Sequence, residues 1–526
     1  MTDSILFWNA VALEANRVSH SDPDKREQNG PTISSRALAI VHLAMYDAYA
    51  GVEGNAATFP PYLNVPFTQT PGTSHADAVA GAAFTTLSAL FKTQIDFFEA
   101  QQSAFDTGNQ SYLFGVEVGN AMLADRAGDP GAGDNGYQIS LGHGRHRVDP
   151  DNPGQGFHAP YYGMQCKGFA ISERHTLDKP PFDDSEYLKS LQQVRAKGIK
   201  PELMGTLPND LFDDKRTPLE SVIGVYWAYD GANRLGTPPR LYNQIIRLVA
   251  VKQGNSEGDN ARLFAFVNAA MADAGILAWE QKYCHDFWRP VVGIREHDAS
   301  CGPGARNPED AGSEISEDAD PSWLPLGAPN TNTLLKNLTP PFPAYPSGHA
   351  TFGAAAFHVT RLFYGKGLGN NGKPYDSNGN IIADDLFDDL SFVSEELNGG
   401  NRDNNGTVRP RHVRNFPGGL GEMIIENGIS RIFLGVHWSF DAFALKGKKP
   451  NLKKDRIGGV PLGLKIATDI FDFGGGIAPK LSTVEPTEAI PTKPTPPATL
   501  GGCADEQEET ETRMVQTPFP SGISPR

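Results

Sequence analysis

The stretch from Asn260 to Trp288, NARLFAFVNAAMADAGILAWEQKYCHDFW, constrains the fold more than any other part of the chain. Nearly every residue in it is helix-compatible and no proline interrupts it before Pro290, so it predicts one long helix. Other segments repeat the signal. Residues 34–52 begin at a serine cap and carry apolar residues three and four apart, and 75–101 reads as one long amphipathic helix. Residues 238–254 open with proline in the first turn and close on glycine. Residues 348–365 and 418–438 continue the series. Strand signals are few, the best being a small hairpin over 370–382, where turn residues are dense. The expected fold class is therefore all-α, with long irregular connections over 140–220 and 297–345. Loops of that length are usually functional or well packed.

Composition narrows what such a chain does. At 39 % hydrophobic, its 526 residues can build a sizeable core. A formal net charge of −16 argues against nucleic acid or an anionic membrane as partner. No uninterrupted apolar run reaches the roughly 18 residues of a membrane span. The start, MTDSILFWNAVALEANRV, has Asp3 early and no basic region, so no secretory signal is expected and the compartment stays open. Cys166, Cys284, Cys301 and Cys503 are scattered with no C-x-x-C, and are expected as thiols rather than as a metal site or a disulfide framework. From about residue 477 the chain turns rich in Pro, Thr and Glu. The expected organisation is a helical domain over 1–476, its site within about 260–445, followed by a tail over 477–526. His143 and His146, in GHGRHRVDPDNPGQG, read as part of a surface loop near a pocket mouth.

Three clusters carry possible chemistry. In AWEQKYCHDFWRP, Lys282 and Arg289 lie seven apart. At 100° per residue they share a helix face about 10 Å apart along the axis; a solvated basic face is the plainer reading. In PPFPAYPSGHATFGAAAF, Ser347 is a natural N-cap and the first-turn N–H groups form an anion site. Gly348 permits close approach, and His349 could exchange a proton with whatever binds; a routine cap with a surface histidine is the other possibility. In SRIFLGVHWSFD, Arg431 offers a fixed cation, and Asp441 stands four residues from His437, able to orient it on a helix. Arg431 and His437, six apart, cannot share a helix face, so the chain must bend, with Gly435 the candidate position. A structural ion pair and a satisfied core histidine would explain these residues equally well. Taken together, two arginines, a lysine, a helix start and two histidines suit a tetrahedral oxyanion such as phosphate or vanadate.

The order Lys282-x6-Arg289-Pro290, then Pro346-Ser347-Gly348-His349, then Ser430-Arg431-x5-His437-x3-Asp441 resembles the signature of the vanadium haloperoxidases, which the type-2 phosphatidic acid phosphatases share. ILFWNAVALEANRVSH, SRALAIVHLAMYDAYAG and YWAYDGANRLGTPPRLYNQI look like the chloroperoxidase branch, so the likeness covers most of residues 5–475. The resemblance implies two four-helix bundles with the site in the second. It implies vanadate as cofactor, held by Lys282, Arg289, Ser347, Gly348, His349 and Arg431, with His437 on the metal and His349 as acid–base group. Lys282 would polarise the bound oxidant. Trp279 and Phe342 would form the halide pocket, Asp230 would pair with Arg431, and Asp441 would hold His437. Hydrogen peroxide, chloride or bromide, and small organic acceptors would be the partners, with hypohalous acid the product. The alternative is an acid phosphatase using the same pocket, with His437 as nucleophile.

Overall fold

Ser256 starts the central helix. Its hydroxyl accepts a hydrogen bond from the Asp259 N–H (3.1 Å), and the Asp259 carboxylate accepts one from the Ser256 N–H (3.3 Å), a reciprocal cap that satisfies first-turn donors. The helix runs Glu257–His285, and Asp286 ends it with a left-handed φ of 49°. The structure, a computed structural model, describes residues 3–134, 136–182, 185–298 and 318–487. The central helix is long and apolar enough to cross a membrane, yet 94 % of its apolar window is buried inside the protein. It is a core helix, and its many alanines let neighbours approach closely.

Two groups of helices pack around it. Gly30–Glu53, His75–Leu90 and Gln110–Asp125 pack on one another, and Gly30–Glu53 lies along the central helix. On its other side Gly348–Phe363 packs between the central helix, Gly419–Phe433 and Gly459–Phe473. The chain is thus mainly helical, and the two bundles share the central helix.

Local departures from expectation have tertiary causes. The single helix expected over 75–101 is broken into His75–Leu90 and Ile95–Gln102. Phe91, buried at the break, takes an extended φ of −126°, and the Gln94 amide donates to Ala15 O at 3.0 Å. The hairpin expected over 370–382 reduces to one antiparallel bridge, Tyr375 with Ile381. Two-stranded ladders form instead at Leu390–Phe392 with Arg414–Phe416 and at Leu445–Lys446 with Lys449–Pro450. These strands of two or three residues are too short to leave a periodic signal. Cys166 is a buried free thiol whose pKa burial pushes up to about 12. Cys284 is disulfide-bonded, against expectation; sequence spacing does not reveal which cysteines a fold brings together. Cys301 and Cys503 lie outside the described residues, as does the tail from 488 onward. The preceding stretch lies along the body: Ser482 N donates to Phe169 O (2.9 Å) and Thr487 N to Met164 O (2.8 Å).

The long 140–220 connection is anchored to the central helix. The Asp273 carboxylate, fully buried, accepts from the N–H groups of Phe169 (2.6 Å), Ala170 (2.7 Å) and Ile171 (3.0 Å). Asp273→Ala leaves three buried donors unpaired, so a loss of about 3 kcal/mol or more is expected in chemical denaturation. A loss below about 1 kcal/mol would show that water replaces the carboxylate there.

Candidate active site

The three clusters converge on one cavity, by routes that differ from those read in the sequence. Lys282 lies in the last turn of the central helix, but Arg289 does not share its helix face, because the helix ends at His285. Asp286 turns the chain, and Arg289 caps the one-turn helix Pro290–Gly293. The loop around His146 pairs with this turn: His146 N donates to Asp286 O (2.9 Å) and Trp288 N to Gly144 O (2.9 Å). The surface-loop reading of that segment is therefore corrected, since His146 is 1 % exposed.

Lys282 and Arg289 are fully buried, and both grip the proline-rich segment before Ser347. The Lys282 ammonium donates to Pro343 O (2.9 Å), Ala344 O (3.1 Å) and Pro346 O. Its three protons thus all have carbonyl acceptors. Arg289 Nε donates to Phe342 O (2.8 Å) and its Nη1 to Val436 O (2.7 Å). These bonds hold the Pro340–Pro346 stretch over the start of the helix Gly348–Phe363. There the Ser347 hydroxyl accepts from Ala350 N (3.4 Å), and Ser347 N donates to Asp441 O (2.8 Å). A Cβ on Gly348 would come within 3.3 Å of the Trp279 ring, so a side chain there would crowd the cavity.

The third cluster bends, and does so at Gly435. The helix Gly419–Phe433 stops, and Gly435 takes a φ of 71°. A Cβ at Gly435 would lie 2.5 Å from Gly198 O, so the turn needs glycine for space as well as for conformation. Arg431, in the last helical turn, donates to both carboxylate oxygens of Asp230 (3.0 and 2.7 Å). His437 comes after the turn, outside any helix. Its Nδ1–H donates to Asp441 Oδ2 (2.7 Å), which also accepts from Trp438 N (3.0 Å). The pair thus forms across the capping turn of the short helix Ser439–Ala442 rather than along one helix. With the proton on Nδ1, Nε2 carries the lone pair, and Arg289 Nη1 donates to it at 2.9 Å.

The cavity measures about 170 Å³. Asp230, Trp279, Phe342, Gly348, His349, Arg431 and His437 line it. Trp279 and Phe342 pack ring against ring, centroids 4.7 Å apart. A larger groove of about 690 Å³, between Ser172–Thr176 and the helix Gly459–Phe473, contains none of these residues. The segment Phe157–Ala159 was not singled out by any motif, yet His158 also lines the cavity. No local pattern in the sequence marks it.

Burial and the clustered cations set the charge states. Burial, reinforced by Arg289, holds the Lys282 ammonium well below its ordinary range. Burial pushes Arg289 down to about 9. His437 is held well below 6.5 by burial and by Arg289, Lys282 and Arg431. Burial raises Asp441 to about 7 against the opposing pull of Lys282. Histidine ordinarily titrates near neutrality; for His349, burial and Arg431 lower the pKa to about 4. Its Nε2–H donates to Ala228 O (2.6 Å), leaving Nδ1 as the proton acceptor.

Two further atoms bear on what fits. Arg289 Nη2 and Arg431 Nε are buried donors with no partner among the described residues. Arg431 lines the cavity and Arg289 bonds the lining His437, so acceptor oxygens bound beside these residues would complete both guanidinium groups. Among the described residues no group of three or more His, Cys, Asp or Glu side chains is placed to hold a metal ion. One imidazole lone pair ringed by cations instead suits a metal delivered as an oxyanion, and vanadate meets that description.

Occupancy by any such anion is linked to protons. A bound dianion favours the imidazolium of His349, so it lifts that pKa above about 4. The occupied state then holds more protons between the two values, and affinity strengthens as the pH falls from 7 toward 4. Asp441, at about 7, shifts in the same direction. Calorimetry with sulfate, whose charge is constant over this range, is expected to show tighter binding at pH 5 than at pH 7. Weaker binding on acidification would contradict the assignment.

Comparison with known proteins agrees along most of the chain. The vanadium chloroperoxidase N-terminal domain family matches residues 1–155, and the VCPO second helical-bundle domain family matches residues 262–447. The vanadium chloroperoxidase of Curvularia inaequalis is 34 % identical, the match covering 96 % of each chain. Among solved structures, a bacterial vanadium-dependent iodoperoxidase shares the fold at 17 % identity, with a TM-score of 0.52 over 88 % of this chain and 95 % of that one. A bacterial vanadium-dependent chloroperoxidase in its apo form does so at 14 % identity, with a TM-score of 0.56 over 84 % and 94 %. With this likeness spanning both bundles and every segment that meets at the cavity, the chain belongs to the vanadium chloroperoxidase family of haloperoxidases.

Proposed function

We propose that the chain is a vanadium-dependent haloperoxidase that uses hydrogen peroxide to oxidise chloride or bromide to hypohalous acid, which then halogenates small organic acceptors. The observation that carries this reading is the pairing of two buried guanidinium donors without a partner among the described residues, on Arg289 and Arg431, with an imidazole lone pair on His437. Arg289, Arg431, Ser347, the Gly348 N–H and Lys282 would hold vanadate, with His437 on the metal. Bound vanadate supplies a vanadium(V) Lewis acid that activates peroxide without itself changing oxidation state.

The protein's own groups do the rest. Asp441 fixes the His437 tautomer and keeps its lone pair aimed into the site. Asp230 locks the Arg431 fork, so that charge stabilisation is preorganised. Neutral His349, with Nδ1 free to accept, takes a proton from peroxide as it enters. Lys282 reaches the oxidant only by exchanging one of its three carbonyl acceptors. Trp279 and Phe342 exclude water from the halide, which strengthens every charge interaction in the cavity.

The test is halogenation of monochlorodimedone by the purified protein after loading with orthovanadate. Turnover is expected to require vanadate, peroxide and halide together. Apoprotein that gains no activity on adding vanadate would sink the reading. Hydrolysis of a phosphate monoester that vanadate inhibits, without halide oxidation, would instead establish the phosphatase use of the pocket.

A further inference from the structure

The aromatic side of the cavity holds a third ring. His158 meets Trp279 edge-on, centroids 5.9 Å apart and planes at 86°, and stands 6.2 Å from Phe342. Its backbone ties that wall together. Its carbonyl accepts from Trp279 Nε1 (3.1 Å) and the Tyr283 hydroxyl (2.8 Å), and its N–H donates to Pro341 O (3.0 Å). Its ring is held by the helix Gly30–Glu53. Nε2 and the Thr32 hydroxyl are 2.9 Å apart. The imidazole also fills the space beside Gly30, where a Cβ would lie 2.2 Å from Cε1. Gly30 and Pro31, at the start of the helix Gly30–Glu53, line the same cavity.

The donors on this wall are unequal. Trp279 has already given its only N–H to His158 O, and Phe342 has none. Taking the Thr32 hydroxyl as the donor to Nε2 places the ring proton of His158 on Nδ1, where no described residue accepts it. Burial keeps the ring uncharged, its pKa lowered to about 4, so it acts as a directed dipole and not as a fixed cation.

We propose that His158 is a specificity-determining residue for the halide, supplying a hydrogen-bond donor on a wall that Trp279 and Phe342 otherwise make apolar. The proposal rests on the haloperoxidase reading and extends it. Chloride gives up more hydration than bromide on entering an apolar pocket, so a donor that replaces part of that hydration favours chloride more.

The experiment compares vanadate-loaded wild type, His158→Phe and His158→Gln in steady-state oxidation of chloride and of bromide, with orthovanadate affinity of each apoprotein measured by calorimetry. In His158→Phe the chloride-to-bromide ratio of kcat/KM is expected to fall about tenfold, mainly through the chloride KM. His158→Gln, which keeps an N–H donor, is expected to recover most of that loss. Vanadate Kd should stay within about twofold throughout. An unchanged ratio in His158→Phe overturns the proposal. A loss of vanadate affinity matching the loss of turnover also overturns it, because that marks a structural role. If His158→Phe does not fold, Gly30→Ala displaces the same ring by contact and must lower the ratio in the same direction. Wild type that oxidises neither halide with vanadate would overturn the haloperoxidase reading itself, whereas bromide turnover with an unmoved ratio removes only the role of His158.

Discussion

Replacing His437 with alanine is expected to abolish vanadate retention, weakening its Kd by at least about a hundredfold and removing vanadate-dependent halide oxidation with it. The size of the effect follows from how completely the fold prepares this one nitrogen. Asp441 Oδ2 takes the Nδ1 proton at 2.7 Å, and a backbone N–H holds Asp441 in turn. Nε2 therefore faces the cations with a lone pair that nothing protonates, its pKa lying well below 6.5. No other metal-ligating cluster among the described residues could take over. The fold itself should survive, since Arg289 keeps its bonds to Phe342 O and Val436 O. Calorimetric titration of the apoprotein with orthovanadate, beside a melting curve, measures both effects. A Kd within a few fold of wild type, in a folded variant, would remove His437 from the metal.

A different signature is expected from His349→Ala. Here kcat for bromide oxidation at saturating vanadate should fall about 10²- to 10⁴-fold, the usual worth of a positioned acid–base group. Vanadate binding should weaken far less, because Arg289, Arg431 and the helix start remain. The ring is neutral and fixed by its bond to Ala228 O, so it is ready to accept a proton without rearranging. Retention of more than about a tenth of the wild-type kcat would assign the proton transfer elsewhere. The two variants thus separate holding the cofactor from moving the proton, which a non-catalytic anion binder could not reproduce.

How far the sequence reaches is clear from individual residues. The central helix, the Ser347 cap and the need for a bend near Gly435 were all legible, because each follows from local chemistry: unbroken helix propensity, a side-chain acceptor at a helix start, and an angle that one helix cannot satisfy. The order of the three motifs also identified the family. Residue type and periodicity failed wherever a distant segment decided the outcome. Arg289 leaves the helix that spacing assigned to it, because Asp286 turns the chain and Tyr137 holds the Asp286 side chain at 2.9 Å. The helix expected over 75–101 breaks where Phe91 is buried. His349 loses its ordinary pKa to burial that no neighbour in sequence predicts. His158 carries no motif at all.

Local chemistry along the chain thus marks the side chains suited to an oxyanion and the helices that carry several of them. Tertiary packing is what cages Lys282 in three carbonyls, leaves Arg289 Nη2 and Arg431 Nε without a partner among the described residues, and turns His437 Nε2 toward Arg289. The division has one physical reason. Helix propensity and capping act over a few residues, whereas desolvation and hydrogen-bond completion depend on atoms brought together from about fifty to more than a hundred residues apart.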